Sequence, residues 1–335
     1  MPAPASPRQL VQGILQGTAP TRPLYLPIVF RHGARVENVP LPAFLTNPTK
    51  ISNALRQIRG RLRADGVACY FDPLLEAEAL GGIVEWQTEE RPPSLRWPRP
   101  VAAGHLPDRL RTPEEAAKSG RVGVAVEVIR RLKSVLRDDC LLIAGISGPF
   151  TLAAQLTQLE ADDLLRAPDI SSALDLASET ISSVAKALLE AGAGVIFIRE
   201  EVLPALSAEG ASDWASRLAT TINIIRFYQA LPVLLLPRAS AAGANREAIE
   251  RQNWDCVVCP ALDASTSAPQ LPAGFGVALP LEAFEPGDSG SAKLDDSIRQ
   301  IGARPRPAIV TTAGDVPATV DMERLNKVWE NIRLR

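Results

Sequence analysis

Eight short apolar runs divide this chain, and they constrain its fold more than any other feature. They are Leu24–Phe30, Val67–Tyr70, Leu141–Ile146, Val195–Ile198, Val233–Leu236, Cys256–Cys259, Gly276–Leu279 and Ala308–Thr311. Val, Ile and Leu dominate most of them without strict polar alternation, the pattern of parallel strands covered on both faces. Helical segments separate most of the runs. Pro48–Ala64 carries Ile51, Leu55, Ile58 and Leu62 at helical spacing, and Val122–Leu136 repeats this with Val124, Val128, Leu132 and Val135. Ser171–Ala191, Ser212–Gln229 and Met322–Leu334 are further helices. Eight strands interleaved with helices predict an α/β fold, a single (β/α)8 TIM barrel. A doubly wound sheet is the alternative, but no Gly-rich phosphate turn follows the first run. Residues 1–21 are expected to form an N-terminal extension and residues 22–335 the barrel domain.

Length and composition agree. The chain has 335 residues, 46% hydrophobic and 22% charged, enough for a large core and too apolar for extended disorder. Its net charge of −2 carries no footprint for nucleic acid or anionic membrane. No apolar run reaches the ~18 residues of a membrane span, and the N-terminus lacks a signal-peptide pattern. Four Cys and two His exclude a disulfide scaffold, and a cytoplasmic location is expected. Two segments break the rhythm. Glu89–Pro113 is a long proline-rich loop after strand two, either a lid or a surface excursion held by Trp97. Pro260–Pro272 reads as a connection.

Barrel enzymes place their chemistry at the C-terminal ends of the strands. Here those positions hold Arg31, His32 and Arg35 after strand one, and Asp72 after strand two. Ser147-Gly148-Pro149-Phe150-Thr151 follows strand three, and Arg199, Glu200 and Glu201 follow strand four. Arg238 follows strand five, Asp263 strand six, and Thr311 to Asp315 strand eight. Arginine forks bind carboxylates or phosphates bidentately, so Arg31, Arg35, Arg199 and Arg238 would suit an anionic ligand, one with several carboxylates; each could equally pair with a neighbouring Asp or Glu. His32 is an acid/base candidate or a satisfied structural histidine. Glu200-Glu201 supplies a base or caps the following segment. Ser147-Gly148 reads as a tight turn into a helix. Cys256 and Cys259 form a CxxC inside a strand, where they face opposite sides and cannot chelate one ion, so no metal site is expected.

Several blocks, in order, resemble the uroporphyrinogen decarboxylase (URO-D) superfamily of TIM barrels, which holds both decarboxylases and corrinoid methyltransferases. Asp65-Gly-Val-Ala-Cys-Tyr-Phe-Asp72 is similar to its second strand ending in aspartate, and Glu76-Ala-Glu-Ala-Leu-Gly81 to the methyltransferase branch. Gly145-Ile-Ser-Gly-Pro-Phe-Thr-Leu152, Ala191-Gly-Ala-Gly-Val-Ile-Phe-Ile198 and Ile309-Val-Thr-Thr-Ala-Gly-Asp-Val-Pro317 resemble later blocks. The resemblance implies that Asp72 is the aspartate that binds pyrrole N–H groups, and that Arg31 and Arg35 are the family's arginine pair. Gln155 stands where the decarboxylases have tyrosine, and Gly314 where they have histidine. The methyltransferases' His-x-Cys pair is replaced by Leu236-Pro-Arg238.

Three readings follow. The first is a decarboxylase-like enzyme acting without a metal cofactor on a tetrapyrrole or similar polycarboxylate. Asp72 and His32 would be catalytic there, and Arg31, Arg35, Gln155, Arg199, Glu200 and Arg238 would bind substrate. The second is a corrinoid-dependent methyltransferase or demethylase lacking the usual zinc and served by a corrinoid protein. It would need an acid, for which His32 or Glu200 could serve. The third is a non-catalytic ligand-binding barrel. The resemblance also implies a homodimer.

Overall fold

The computed structural model describes residues 5–86, 93–136, 140–251, 254–260, 275–285, 287–302 and 307–333. Each of the eight apolar runs contributes a strand to one parallel sheet. They are β1 (Leu24–Tyr25), β2 (Gly66–Tyr70), β3 (Leu141–Ser147), β4 (Val195–Arg199), β5 (Leu231–Leu235), β6 (Val257–Pro260), β7 (Phe275–Leu279) and β8 (Ile309–Thr312). The order around the sheet is β1-β8-β7-β6-β5-β4-β3-β2, with each intermediate strand hydrogen-bonded to its neighbours in sequence. β2, β3, β5 and the inner part of β4 are buried along their length, which explains why these runs lack polar alternation. The sheet is thus a TIM barrel in architecture, α/β in class.

The ends of the sheet, β1 and β2, meet through one residue. The Asp65 backbone N–H donates to Tyr25 O at 3.0 Å, and the Asp65 carbonyl accepts from Leu141 N at 2.8 Å. Its carboxylate accepts the Tyr25 N–H at 2.9 Å and a fork from Arg22, at 2.7 and 2.9 Å. β1 is the shortest strand, so the side chain of Asp65 supplies bonds that a longer ladder would have made.

The helix Pro48–Leu62 follows the sequence periodicity, whereas in Gly120–Leu136 the expected stripe is kept only at Val128 and Leu132, since Val135 is 47% exposed and the buried face runs through Arg121, Ala125 and Ile129. Pro48–Leu62 starts at Asn47, whose side chain accepts from the N–H groups of Thr49 and Lys50, and places Ile51, Leu55, Ile58 and Leu62 on the core. Ile170–Ala191 ends at Gly192, at φ 118°, a conformation that glycine tolerates best. Pro7–Leu15 begins with a capping box between Ser6 and Gln9 and buries Leu10, Val11 and Ile14. Among the described residues, no helix is long and apolar enough to cross a membrane.

After β2 the chain forms a small antiparallel hairpin, Ile83–Glu85 with Ser94–Arg96. Trp97 follows it, is 5% exposed, and its Nε1–H donates to Gln155 O at 3.4 Å. This part of the proline-rich segment is therefore packed on the barrel. The tip of the hairpin and the expected connection at 261–272 lie outside the described residues.

Candidate active site

The strand ends of β2, β3 and β4 enclose a recess lined by Phe71, Asp72, Pro73, Gly145, Ile146, Ser147 and Arg199. Its empty space is about 190 Å³, part of it open to solvent. Gly145 makes the floor possible: a Cβ there would stand 2.4 Å from Phe71 Cδ2. The Phe71 ring occupies that space, and the Arg199 guanidinium lies over it, 5.8 Å from the centroid.

Asp72 lines the recess but is not a free carboxylate. Its Oδ1 accepts the Leu74 N–H at 2.9 Å, and Arg121 Nη1 donates to Oδ2 at 2.5 Å. The two side chains are 1% and 5% exposed. Arg121 also pairs with Glu78 and lies over the Trp86 ring at 5.4 Å. Burial works against the Arg121 charge, but Asp72 and Glu78 more than offset it and hold the guanidinium well above its ordinary range. The sequence reading missed Arg121. The signal was present, because Arg121 shares a helix face with Ala125, Val128 and Leu132, all buried.

The remaining candidates are placed as follows. Arg199 reaches the recess; its Nη2 pairs with Glu201, and its buried Nε has no hydrogen-bond partner among the described residues. Glu200 has no exposed surface and faces the start of helix Pro149–Thr157. It accepts from Phe150 N (3.2 Å), Thr151 N (2.9 Å), Thr151 Oγ1 (2.8 Å) and Trp214 Nε1 (3.0 Å). Its carboxylate caps that earlier helix rather than the segment that follows it, because β4 ends beside the start of the helix after β3, and it has little left to offer a ligand. Gly148 permits the approach, since a Cβ there would lie 2.2 Å from Glu200 Cδ. Burial nevertheless pushes the Glu200 carboxyl up to about 7, against the pull of its donors.

Gln155 donates from Nε2 to Pro73 O at 2.9 Å, tying its helix to the end of β2. His32 is 3% exposed, with Nε2 bonded to Val320 O at 2.9 Å, and burial pushes its pKa down. Arg35 is exposed and donates to Ala318 O. Arg31 Nε stands 3.8 Å from Asp315 Oδ2, and Asp315 accepts the N–H groups of Phe30 and Arg31 at 2.8 and 2.9 Å. Arg238 is exposed at the head of helix Ala239–Ala244. Among the lining residues, the structure brings Asp72 and Arg199 together; the other expected residues are bonded elsewhere in the chain or exposed. Asp263 lies outside the described residues.

The sequence reading also passed over a buried acid just behind the recess wall. Glu76, on the short helix Leu75–Ala79, is wholly buried and accepts from the Ser147 hydroxyl at 2.9 Å. Burial pushes Glu76 up to about 7, and Asp315 likewise, with Asp72 adding to both.

The donor set does not suit a soft metal. Cys69, Cys140, Cys256 and Cys259 are all buried in the barrel wall, and burial pushes the Cys69, Cys256 and Cys259 thiols up. Leu236-Pro-Arg238 supplies no ligand after β5. Among the described residues, no three His, Cys, Asp or Glu side chains are grouped to hold a metal ion.

Comparisons with known proteins complete the picture. Methylcobamide:CoM methyltransferase MtaA of Methanosarcina barkeri is 29% identical over 131 residues. That match covers 37% of this chain and 37% of the relative, so the likeness spans little more than a third of either. A methyltransferase from Methanosarcina mazei superposes with a TM-score of 0.74 at 17% identity, over 98% of both chains. A B12-independent methionine synthase from Shewanella sp. W3-18-1 gives 0.51 at 13% identity, over 85% of this chain and 87% of that one. These superpositions are likenesses of fold. The model of the uroporphyrinogen decarboxylase (URO-D) family matches residues 6–251, most of the chain, and with the barrel and strand-end blocks described above the protein belongs to the URO-D family.

Proposed function

We propose that this protein is a corrinoid-linked methyltransferase of the superfamily, one that removes a methyl group from a small O-methylated carboxylic acid. The observation that carries the reading is the size and lining of the recess. Its ~190 Å³ includes space open to solvent, so the enclosed part is smaller still, and Arg199 is the one cation among the residues that line it. A recess so small, with a single cation on its wall, suits one end of a short anionic ligand better than a tetrapyrrole that carries many carboxylates. Arg199, a cation on the recess wall held by Glu201, offers the anion a partner. The methyltransferase relatives support the same direction.

A corrinoid held by a partner protein would supply a nucleophilic cobalt at the mouth. The chain's own part is to bind, orient and protonate. Activating a thiol for methyl transfer calls for soft ligands that the described residues do not group. Releasing a methyl group from oxygen calls instead for an acid. His32 and Glu200 are both engaged elsewhere, which moves that role towards the recess wall.

Decarboxylation remains the second reading, favoured by Asp72 at the end of β2. Against it, Arg121 already fills the carboxylate that would receive pyrrole N–H groups.

One experiment separates the two. The purified protein is mixed with cob(I)alamin and a panel of small methoxylated carboxylic acids, and the Co(I) to methyl-Co(III) spectral change is followed. Uroporphyrinogen is incubated in parallel and its products are separated chromatographically. Methylcobalamin formation that fails in Arg199→Ala is expected. Loss of carboxyl groups from uroporphyrinogen, or no methylation across the panel, overturns the proposal.

A further inference from the structure

Ser147 and Glu76 form a unit that methyl transfer alone does not explain. Ser147 ends β3, is 3% exposed and lines the recess. Its hydroxyl donates to Glu76 Oε2 at 2.9 Å and lies 3.4 Å from Pro73 O. Glu76 stands behind it with no exposed surface. The second carboxyl oxygen, Oε1, is buried without a hydrogen-bond partner among the described residues.

A carboxylate with one oxygen buried and unbonded is costly, and the neutral acid is the form such a place tolerates. Burial pushes Glu76 up to about 7 and Asp72 adds to the effect; the Ser147 hydroxyl and the backbone N–H groups of Glu76 and Ser147 pull the other way. Other charges on the surrounding elements are Arg121, Glu78 and Arg199. Arg121 is taken up by Asp72 and Glu78, and Arg199 is paired with Glu201. No cation is therefore paired with Glu76 among the described residues.

We infer that Ser147 and Glu76 are a proton relay into the recess: when Glu76 is the neutral acid its Oε2–H donates to Ser147 Oγ, reversing the bond of the carboxylate form, so that Ser147 protonates the ligand's leaving oxygen and is itself reprotonated by the Glu76 carboxyl. The ligand's identity rests on the methyl-transfer reading; the relay rests on the geometry of the two side chains. When the methyl–oxygen bond breaks, its electron pair stays on oxygen. The methyl group would pass to the reduced corrinoid of the partner protein, which would supply the electron pair of the new carbon–cobalt bond. Oxygen takes the Ser147 proton, Ser147 takes the Glu76 proton, and Glu76 ends as a carboxylate. Water returns a proton to Glu76 after the hydroxy acid leaves. Ser147 is the residue that touches the ligand, and Glu76 acts through it.

Two measurements test this. The first needs no substrate. Infrared difference spectra across the neutral range should show a protonated-carboxyl band that Glu76→Gln removes, and whose frequency shifts in Ser147→Ala. Asp315 and Glu200 also titrate there, so the variants are needed to assign the band. The second measures methyl transfer to cob(I)alamin. Glu76→Gln and Ser147→Ala should each slow it about a hundredfold, the range of general acid catalysis, with KM little changed. The double variant should be no slower than either single one, and Ser147→Thr should recover most of the rate. A carboxyl band unaffected by Glu76→Gln overturns the relay, as do rate losses that multiply in the double variant. If no substrate is demethylated, the methyl-transfer reading fails while the infrared result still decides whether Glu76 holds the proton bonded to Ser147.

Discussion

The Asp72 carboxylate and the Arg121 guanidinium meet at 2.5 Å, one just past the end of β2 and the other in the first turn of helix Gly120–Leu136, and almost none of either side chain reaches water. Removing Arg121 would leave a carboxylate buried with a single backbone donor. Arg121→Leu should therefore lose roughly 3–5 kcal/mol of stability, the range for breaking one side of a buried pair. Asp72→Asn in the same chain should restore part of it. Urea unfolding of the single and double variants checks this; equal midpoints for Arg121→Leu and the wild type would show that the pair contributes nothing.

Glu200 binds four donors from two helices, so its loss should be felt as instability rather than as lost ligand affinity. Glu200→Ala leaves the N–H groups of Phe150 and Thr151 and the Trp214 indole without their acceptor. About 3 kcal/mol is expected, with Glu200→Gln milder because it keeps one acceptor oxygen. Gly148→Ala should destabilise too, by driving a methyl group into the same carboxylate. Thermal unfolding measured with substrate affinity separates the two roles.

The barrel was legible in the sequence because its signal is repeated. Eight β-rich runs fall on eight strands, since strands buried on both faces need continuous apolar residues. The helix Pro48–Leu62, just before β2, was readable for the same reason, its stripe of Ile51, Leu55, Ile58 and Leu62 facing the core. The site was less legible, because position along the chain does not say where a side chain is spent. Arg31, Arg35 and Arg199 all follow strands, yet Arg35 goes to the Ala318 carbonyl and Arg31 lies beside Asp315. Glu76 and Arg121 were readable in principle as charges on apolar helix faces. What they meet there depends on segments 49 and 71 residues away, and no local pattern encodes that.

Asp65 closes the barrel where β1 and β2 share no ladder. Asp65→Ala removes the acceptor for the Tyr25 N–H and for the Arg22 fork. Arg22 is 34% exposed, so solvent screening discounts its share. A loss of about 1–3 kcal/mol is expected, most of it from the bond to Tyr25. Amide exchange at Tyr25 and Asp65 should quicken more than exchange within β4 and β5. Uniform quickening would place the effect elsewhere.

Three buried carboxyls give the fold a distinctive response to pH. Glu76 and Glu200 start from 4.5 and Asp315 from 3.8, and burial raises all three to about 7. Between those limits the unfolded chain has released protons that the folded chain still holds, so each group favours folding less as pH rises. Their contribution is fully present below the unfolded values and is lost as pH climbs through about 7. His32 runs the other way, since burial lowers its pKa and protonation in acid favours the unfolded chain. The unfolding temperature should consequently fall between about pH 5 and pH 8. Glu76→Gln cannot ionise, so the decline should be shallower in that variant, and its stability relative to the wild type should improve steadily towards alkaline pH. Calorimetric scans of both proteins across that range provide the test, and parallel curves would mean that Glu76 is ionised in the native protein throughout.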